Sequence, residues 1–213
     1  MMQEVVDQIL KSTRSQIEGI HTALPGEIKS YDTDKGLAVV QPKIKYTKPD
    51  GSTLDYPEIS GVPVVFPQSK SVTIAWPVKQ GDGCLLVVSE RSLDYWMYGS
   101  ETDTQLLYDL SNAIAIMGIS PKGNSTMKTA CDDNGVAIAA GSTKVKITPD
   151  TTKVEMGGTT LTVTSSGVTI AGNLTVKGGV TVRDDVKSSN GTISLNGHKH
   201  IDSMKGNTTA PVP

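Results

Sequence analysis

The sequence lacks the features of several common kinds of protein. Only two of its 213 residues are cysteines, too few for a disulfide framework. Its 20 basic residues do not outnumber its 22 acidic ones, whereas a nucleic-acid binder usually carries a strong basic excess. No apolar run approaches the roughly 18 residues of a membrane-spanning helix, and the first residues, MMQEVVDQILK, show no signal peptide. We therefore expect a chain made in a cytoplasm, with reduced thiols and no nucleic-acid partner.

Aromatic residues are also rare, and their distribution divides the chain. All nine lie before residue 109. The last 78 residues contain none, and 31 of those 78 are Gly, Ser or Thr. A monomeric domain of this composition would bury too little apolar surface to offset the entropy of its chain. This part of the sequence is therefore either disordered or folded without an ordinary core.

The first half predicts a helix followed by a small barrel. Apolar residues recur at three- and four-residue spacing over residues 2–20, which indicates a short helix that packs on its own domain or on a neighbouring subunit. Over residues 21–110, five or so short strands alternate with Pro, Gly and Asp turns, which favours an OB-fold barrel. The stretches SVTIAWPV and GDGCLLVVSERSLDYWMYG are expected to supply two of these strands. Residues 111–135 are expected to form an irregular transition, because Pro121, Gly123 and Asn124 interrupt regular elements.

Residues 136–196 carry the strongest pattern, a repeat of two apolar residues separated by one outward-facing residue. The pairs are Val136/Ile138, Val145/Ile147, Val154/Met156, Leu161/Val163, Val168/Ile170, Leu174/Val176, Val180/Val182 and Ile193/Leu195. Each pair would face one side of a strand. Three chains wound about an axis would close these faces into a thin dry core and pair the strand edges. We therefore predict an intertwined three-chain β-helix over residues 136–196; a single-chain solenoid and a flexible stalk are the alternatives.

The chain ends in NGHKHIDSMKGNTTAPVP, which contains the candidate metal site. His198 and His200 are two residues apart, so on a strand both project to the same face. Three copies about a threefold axis would supply six imidazole nitrogens. Such a set suits an octahedral ion such as iron or nickel better than zinc, which prefers four ligands. Residues 197–213 are thus predicted to form a pointed, metal-bound apex.

The sequence shows no catalytic arrangement. The carboxylate pairs Asp132-Asp133 and Asp184-Asp185 are adjacent in sequence, so on extended backbone the two members of each pair point to opposite faces. We interpret both pairs as solvated turns. The sequence also has no nucleophile motif, phosphate-binding loop or zinc-protease motif. We expect the protein not to be an enzyme.

This arrangement resembles the central spike proteins of contractile-tailed bacteriophages, the membrane-piercing tips of the baseplate. The resemblance rests on the short helix, the barrel sequence LPGEIKSYDTDKGLAVVQPKIKY with PVVFP downstream, the Thr/Val/Gly-rich repeat and the terminal NGHKH. It implies a homotrimer in the virion, at the tip of the tail baseplate, made in the host cytoplasm. It also implies that His198 and His200 from each of three chains hold a buried iron ion.

The same resemblance implies a mechanical function. The N-terminal barrel would bind the tail hub or baseplate protein, and sheath contraction would drive the spike through the host outer membrane. The alternative is a trimeric receptor-binding tail fibre or adhesin, which usually ends in a bulky head with exposed aromatics. A barrel that binds nucleic acid would need a basic groove. Residues 1–135 instead carry 12 basic and 17 acidic residues, which favours docking to protein.

Overall fold

The computed structural model describes residues 2–48, 50–100, 106–188, 194–197 and 199. The chain divides into two units, Met1–Gly123 and Asn124–Pro213. This division lies inside the segment that the sequence predicts to be a transition. Each unit is described below by itself.

The first unit begins with helix α1, Met2–Glu18. Its apolar residues follow the helical period expected from the sequence, but every described residue of the helix is exposed. Arg14 and Glu18, one turn apart, form an ion pair of 3.2 Å between Nε and Oε1. Such an exposed pair contributes little to stability. The helix therefore presents an apolar stripe that its own domain leaves uncovered.

Five strands of the first unit close into a barrel, and two more form a separate hairpin. The strands are β1 (Ala23–Asp32), β2 (Leu37–Pro42), β3 (Lys45–Thr47), β4 (Thr53–Asp55), β5 (Ile59–Val65), β6 (Gly83–Val88) and β7 (Ala113–Met117). The barrel order is β1-β2-β5-β7-β6, and β6 pairs back to β1. Only the β5–β7 pair is parallel among the barrel pairings. This order is the Greek-key arrangement expected of an OB-fold barrel.

The barrel core follows from alternation along its strands. In β2 and β6 every second residue is buried, because successive side chains on a strand point to opposite faces. Ile28, Val40, Val62, Cys84 and Leu86 are the largest fully buried side chains. Full burial of one aliphatic side chain of this size contributes about 1.5–3 kcal/mol. The barrel thus forms its core within one chain.

Two elements of the first unit differ from the sequence expectation. The stretch SVTIAWPV, residues 71–78, is not a strand; only an isolated bridge joins Gln68 to Thr73. Both edges of every barrel strand are already used by the closed barrel, so no partner is left for a further strand. Residues expected to continue the β6 strand instead form helix α2, Asp94–Tyr98. It ends at Gly99, whose positive φ of 73° suits the left-handed residue that closes a helix.

The segment expected to be an irregular transition contains regular structure. It holds β7, the strand that completes the barrel, and helix α3, Ser125–Asp132. Asn124, which the sequence suggests as a breaker, is the N-cap of α3, and its Oδ1 accepts a hydrogen bond of 2.9 Å from the Met127 N–H. An Asn residue that interrupts one element can also begin a helix, because its side-chain oxygen accepts a hydrogen bond from a free N–H group in the first turn.

The second unit continues from α3 into a five-stranded antiparallel meander. Its strands are β8 (Val136–Ala140), β9 (Thr143–Ile147), β10 (Thr151–Met156), β11 (Thr159–Thr164) and β12 (Gly167–Ala171), each paired with the next. They coincide with the first five apolar pairs of the sequence repeat. The next two pairs, Leu174/Val176 and Val180/Val182, lie on described residues outside any strand. Ile193 of the last pair lies outside the described residues.

A substitution in the barrel tests how tightly its strands fit. A Cβ added at Gly83 would overlap the backbone carbonyl oxygen of Ile119, so Gly83→Ala should force the backbone apart. We expect a loss of about 1–3 kcal/mol in unfolding free energy, the usual range for overpacking. Both tryptophans, Trp76 and Trp96, lie in the first unit, so their fluorescence in urea reports its unfolding. Gly123→Ala is the matched control, since an added Cβ there meets nothing within 4 Å. Equal midpoints for the two variants would contradict the prediction.

Candidate functional site

The second unit has an apolar sheet face, formed by two rows of side chains that run across all five strands. Residues paired directly across an antiparallel sheet lie on the same face. One row is Ile138–Val145–Val154–Leu161–Ile170, and the other is Val136–Ile147–Thr152–Val163–Val168. Met156 extends this face at the end of β10. Val, Ile, Leu and Met supply ten residues of this face. Nine of them lie directly opposite another of these residues on an adjacent strand; the exception is Met156, which lies opposite Thr143 and Thr159.

The apolar sheet face is not covered by the described residues. Nine of its ten apolar residues are between 36% exposed at Val154 and 63% exposed at Val168, and Val145 is half-buried. A sheet with one apolar face is stable when that face packs against another layer. Contiguous exposed apolar patches of this kind mark interaction surfaces. The face is the principal candidate for contact with other chains.

The opposite face of the same sheet is polar and charged. Lys144 pairs across the sheet with Glu155, and the Glu155 Oε2 lies 2.8 Å from the Lys153 Nζ. The Lys153 hydrogen bond and charge hold the pKa of Glu155 below its usual value. Lys146, on the same face, forms an ion pair with Asp133 at the end of α3. These groups suit contact with water, so the sheet has one face for solvent and one for a partner.

The first unit has an exposed surface of its own, around α2. Tyr95, Trp96 and Tyr98 are each 65–72% exposed. The sequence from residue 90 to 109 contains five acidic residues and a single basic one. The sequence pattern predicts a barrel strand for these aromatics, but the structure has them on a short helix outside the core. Exposed Tyr and Trp are the residue types that dominate protein interfaces.

His198 and His200 lie outside the described residues. Among the residues that the structure does describe, no group of three or more His, Cys, Asp or Glu side chains could hold a metal ion. The donor set of the two histidines fits the expected ion chemically, since imidazole nitrogens are good ligands for iron, nickel and zinc. The geometry described closest to them is the turn at residues 194–197, which leads directly into His198.

The adjacent carboxylate pairs have individual partners. Asp132 binds Lys128 within α3, and Asp133 binds Lys146 of β9. Asp185 accepts hydrogen bonds from the Ser194 hydroxyl and from the Asn196 N–H, which hold its pKa below the usual value. The interpretation of Asp184-Asp185 as a solvated turn therefore misses a specific contact. Its partners lie 9 and 11 residues away, beyond the reach of any local pattern.

Comparison with known proteins adds evidence on the barrel. Residues 24–118 match the family model described as the N-terminal domain of phage protein Gp138. The match indicates a phage protein. It begins at the second residue of β1, covers the rest of the five barrel strands and α2, and ends one residue after β7. No curated protein matches the chain. The match also agrees with a structural role in a phage particle.

The described helices carry no membrane-crossing segment. None of them combines the length and the apolar character that a membrane span requires.

Proposed function

We propose that this phage protein is the central spike of a contractile tail, a homotrimer at the tip of the baseplate that pierces the host outer membrane when the sheath contracts. The observation that carries the proposal is the uncovered apolar sheet face, which follows a barrel that matches a phage protein domain. The action is mechanical and uses no catalytic group. As a structural protein of the phage, it would lie in the virion.

Burial of the apolar sheet face favours a three-chain assembly. Its side chains are Val, Ile, Leu and Met, which are small enough to meet at a narrow axis. Full burial of ten such side chains, already half-covered in the single sheet, would contribute on the order of 10 kcal/mol per chain. This is comparable to the whole stability of a small domain. Winding three chains together would also pair the edge strands β8 and β12, which otherwise invite aggregation.

We propose that an iron ion holds the apex. Six imidazoles also suit nickel, so the choice of iron rests on the resemblance to phage spikes, whereas zinc, which prefers four ligands, suits the set less well. The imidazoles of His198 and His200 from each of three chains would hold it on the threefold axis. The bound ion supplies a cross-link between chains where the residues after Gly197 offer few apolar side chains. Metal binding of this kind stabilises only the folded state, because the unfolded chains do not bring the ligands together.

The N-terminal barrel is proposed to dock on the tail hub or baseplate protein. Support comes from the exposed aromatics of α2 and from the acidic excess of residues 90–109, which suit a protein partner rather than nucleic acid.

The second candidate function is a trimeric receptor-binding fibre, and the same exposed aromatics favour it. Adding excess purified protein to host cells separates the two. A fibre would compete with the phage for its receptor and reduce adsorption, whereas a spike would leave adsorption unchanged.

The first prediction concerns assembly and metal content. We expect the untagged protein to have a native mass of about 67.5 kDa, three times the chain mass of 22.5 kDa. Elemental analysis of the same sample should give one iron per three chains. Native mass spectrometry and inductively coupled plasma spectrometry make the two measurements. A monomer without metal would contradict the proposed spike.

The second prediction tests the apolar sheet face. Leu161 lies in the middle of one apolar row, and its neighbour Thr162 lies on the opposite face. Leu161→Glu places a charge into the proposed core and should convert the trimer largely to monomer, because an unpaired buried charge is strongly unfavourable. Thr162→Glu introduces the same charge opposite Lys153 and should remain trimeric. Sedimentation equilibrium measures both masses; a trimeric Leu161→Glu variant would exclude this face as the interface.

The third prediction concerns the terminal histidines. The double variant His198→Ala/His200→Ala should lose its bound metal and keep the trimeric mass, since the sheet interface is separate from the ligands. Lys199→Ala, which changes the residue between them, serves as the control and should retain iron. Stoichiometric metal in the double variant would show that other groups bind it.

A further inference from the structure

Two short segments are joined by hydrogen bonds immediately before the predicted metal ligands. We call residues 184–187 and 194–197 the tip clasp. An isolated antiparallel bridge joins Lys187 to Ser194, and the Leu195 N–H donates to the Val186 carbonyl oxygen at 2.9 Å. These contacts link positions seven and nine residues apart. Residues 184–187 are thereby bonded to residues 194–197, the segment that directly precedes His198 in the chain.

Asn196 is held at two points within the tip clasp. Its backbone N–H donates to the Asp185 Oδ1 at 3.1 Å, and its side-chain Nδ2 donates to the Asp184 carbonyl oxygen at 2.7 Å. The Ser194 hydroxyl binds the same Asp185 carboxylate. The Asp185 carboxylate therefore fixes both ends of the turn that Ser194 and Asn196 form.

Gly197 completes this arrangement. Its N–H donates to the Ser194 Oγ at 2.9 Å, so the hydroxyl that binds Asp185 also holds the residue next to His198. All of these residues except Asp185 and Ser194 are exposed, so apolar burial does little to order them. Hydrogen bonds to a charged acceptor are stronger than those between neutral groups. The Asp185 carboxylate accepts two of these contacts, from the Ser194 hydroxyl and from the Asn196 N–H, and it is the only charged acceptor among them.

We propose that Asp185 is a positioning residue for the terminal metal site, which it serves by fixing Ser194 and Asn196 and thus the start of the His198–His200 segment. The inference rests on the proposed function and adds a residue to it. Asp185 itself is not a ligand. Asp185 would act as a residue that orients the ligand segment through hydrogen bonds without touching the ion. Removing residues of this kind typically lowers metal affinity about 10–100-fold.

Adjacent residues provide a matched pair of variants. Asp185→Ala removes the carboxylate that accepts from Ser194 and Asn196. Asp184→Ala removes the same charge one residue earlier but keeps the backbone carbonyl oxygen that binds Asn196. Asp185→Asn keeps an oxygen that can accept from the Asn196 N–H. These three variants separate the contact from the charge.

The experiment uses the full chain, stripped of metal with a chelator and reloaded with Fe²⁺ alone. The rate at which iron passes to a ferrous chelator and the hydrogen exchange of the Leu195–Gly197 amides are both measured. We expect Asp185→Ala to lose iron about tenfold faster and to exchange these amides faster, with the trimeric mass unchanged. Asp184→Ala should behave as the unaltered protein, and Asp185→Asn should recover part of the retention.

Three outcomes would overturn the inference in distinguishable ways. If the unaltered protein binds no iron, the metal-bound apex of the proposed function fails, and the role of Asp185 fails with it. If the unaltered protein binds iron and Asp185→Ala releases it at the same rate, only the role of Asp185 fails. If Asp184→Ala and Asp185→Ala release iron equally fast, the effect comes from charge and not from the clasp, and the inference is again wrong.

Discussion

The need to cover one apolar face governs the second unit. Each strand of the meander offers two or three apolar side chains on one side, and the sheet is a single layer. Nothing in the described part of that unit packs over this face, which is why we propose that other chains bury it. The proposed three-chain assembly also accounts for the absence of aromatics from residues 136–213, because large rings would not fit at a narrow shared axis. It leaves the charged and Thr-rich opposite face toward solvent.

The barrel solves the same problem within one chain. Its five strands curve into a closed sheet, so the inward-facing residues cover one another and Ile28, Val40 and Leu86 become fully buried. Closure also removes the free strand edges. Because the core needs only these aliphatic residues, the aromatics Tyr95, Trp96 and Tyr98 remain on the surface, where they are available to a partner. One chain thus combines a unit that forms its own core with a unit whose described residues leave an apolar face uncovered.

The sequence predicts the parts that depend on neighbouring residues and misses those that depend on distant ones. The strands from Val136 to Ile170 were predictable, because a hairpin meander needs only period-two alternation and a short turn. The stretch SVTIAWPV alternates equally well, but strand pairing also needs a free neighbour, which the closed barrel does not provide. Helix α2 was missed because Tyr and Trp favour strands, while its end depends on the conformation of Gly99. The hydrogen bonds of Asp185 were missed because its partners, Ser194 and Asn196, lie 9 and 11 residues further along the chain.

The balance of forces changes along the second unit. Over β8–β12 the apolar pairs recur on regular strands, so burial against other copies can order them. Beyond Ala171 the pairs Leu174/Val176 and Val180/Val182 lie outside regular strands, and Leu174 and Val180 are each more than 60% exposed. The segment approaching the histidines is ordered instead by directional bonds to Asp185. Hydrogen bonds determine how a segment is oriented, whereas apolar contacts determine only which surfaces lie together. In the proposed trimer, three such segments would converge on one ion, and each would have to be oriented before the ion binds. Because these segments have little apolar area to bury, polar groups such as Asp185 would provide that orientation.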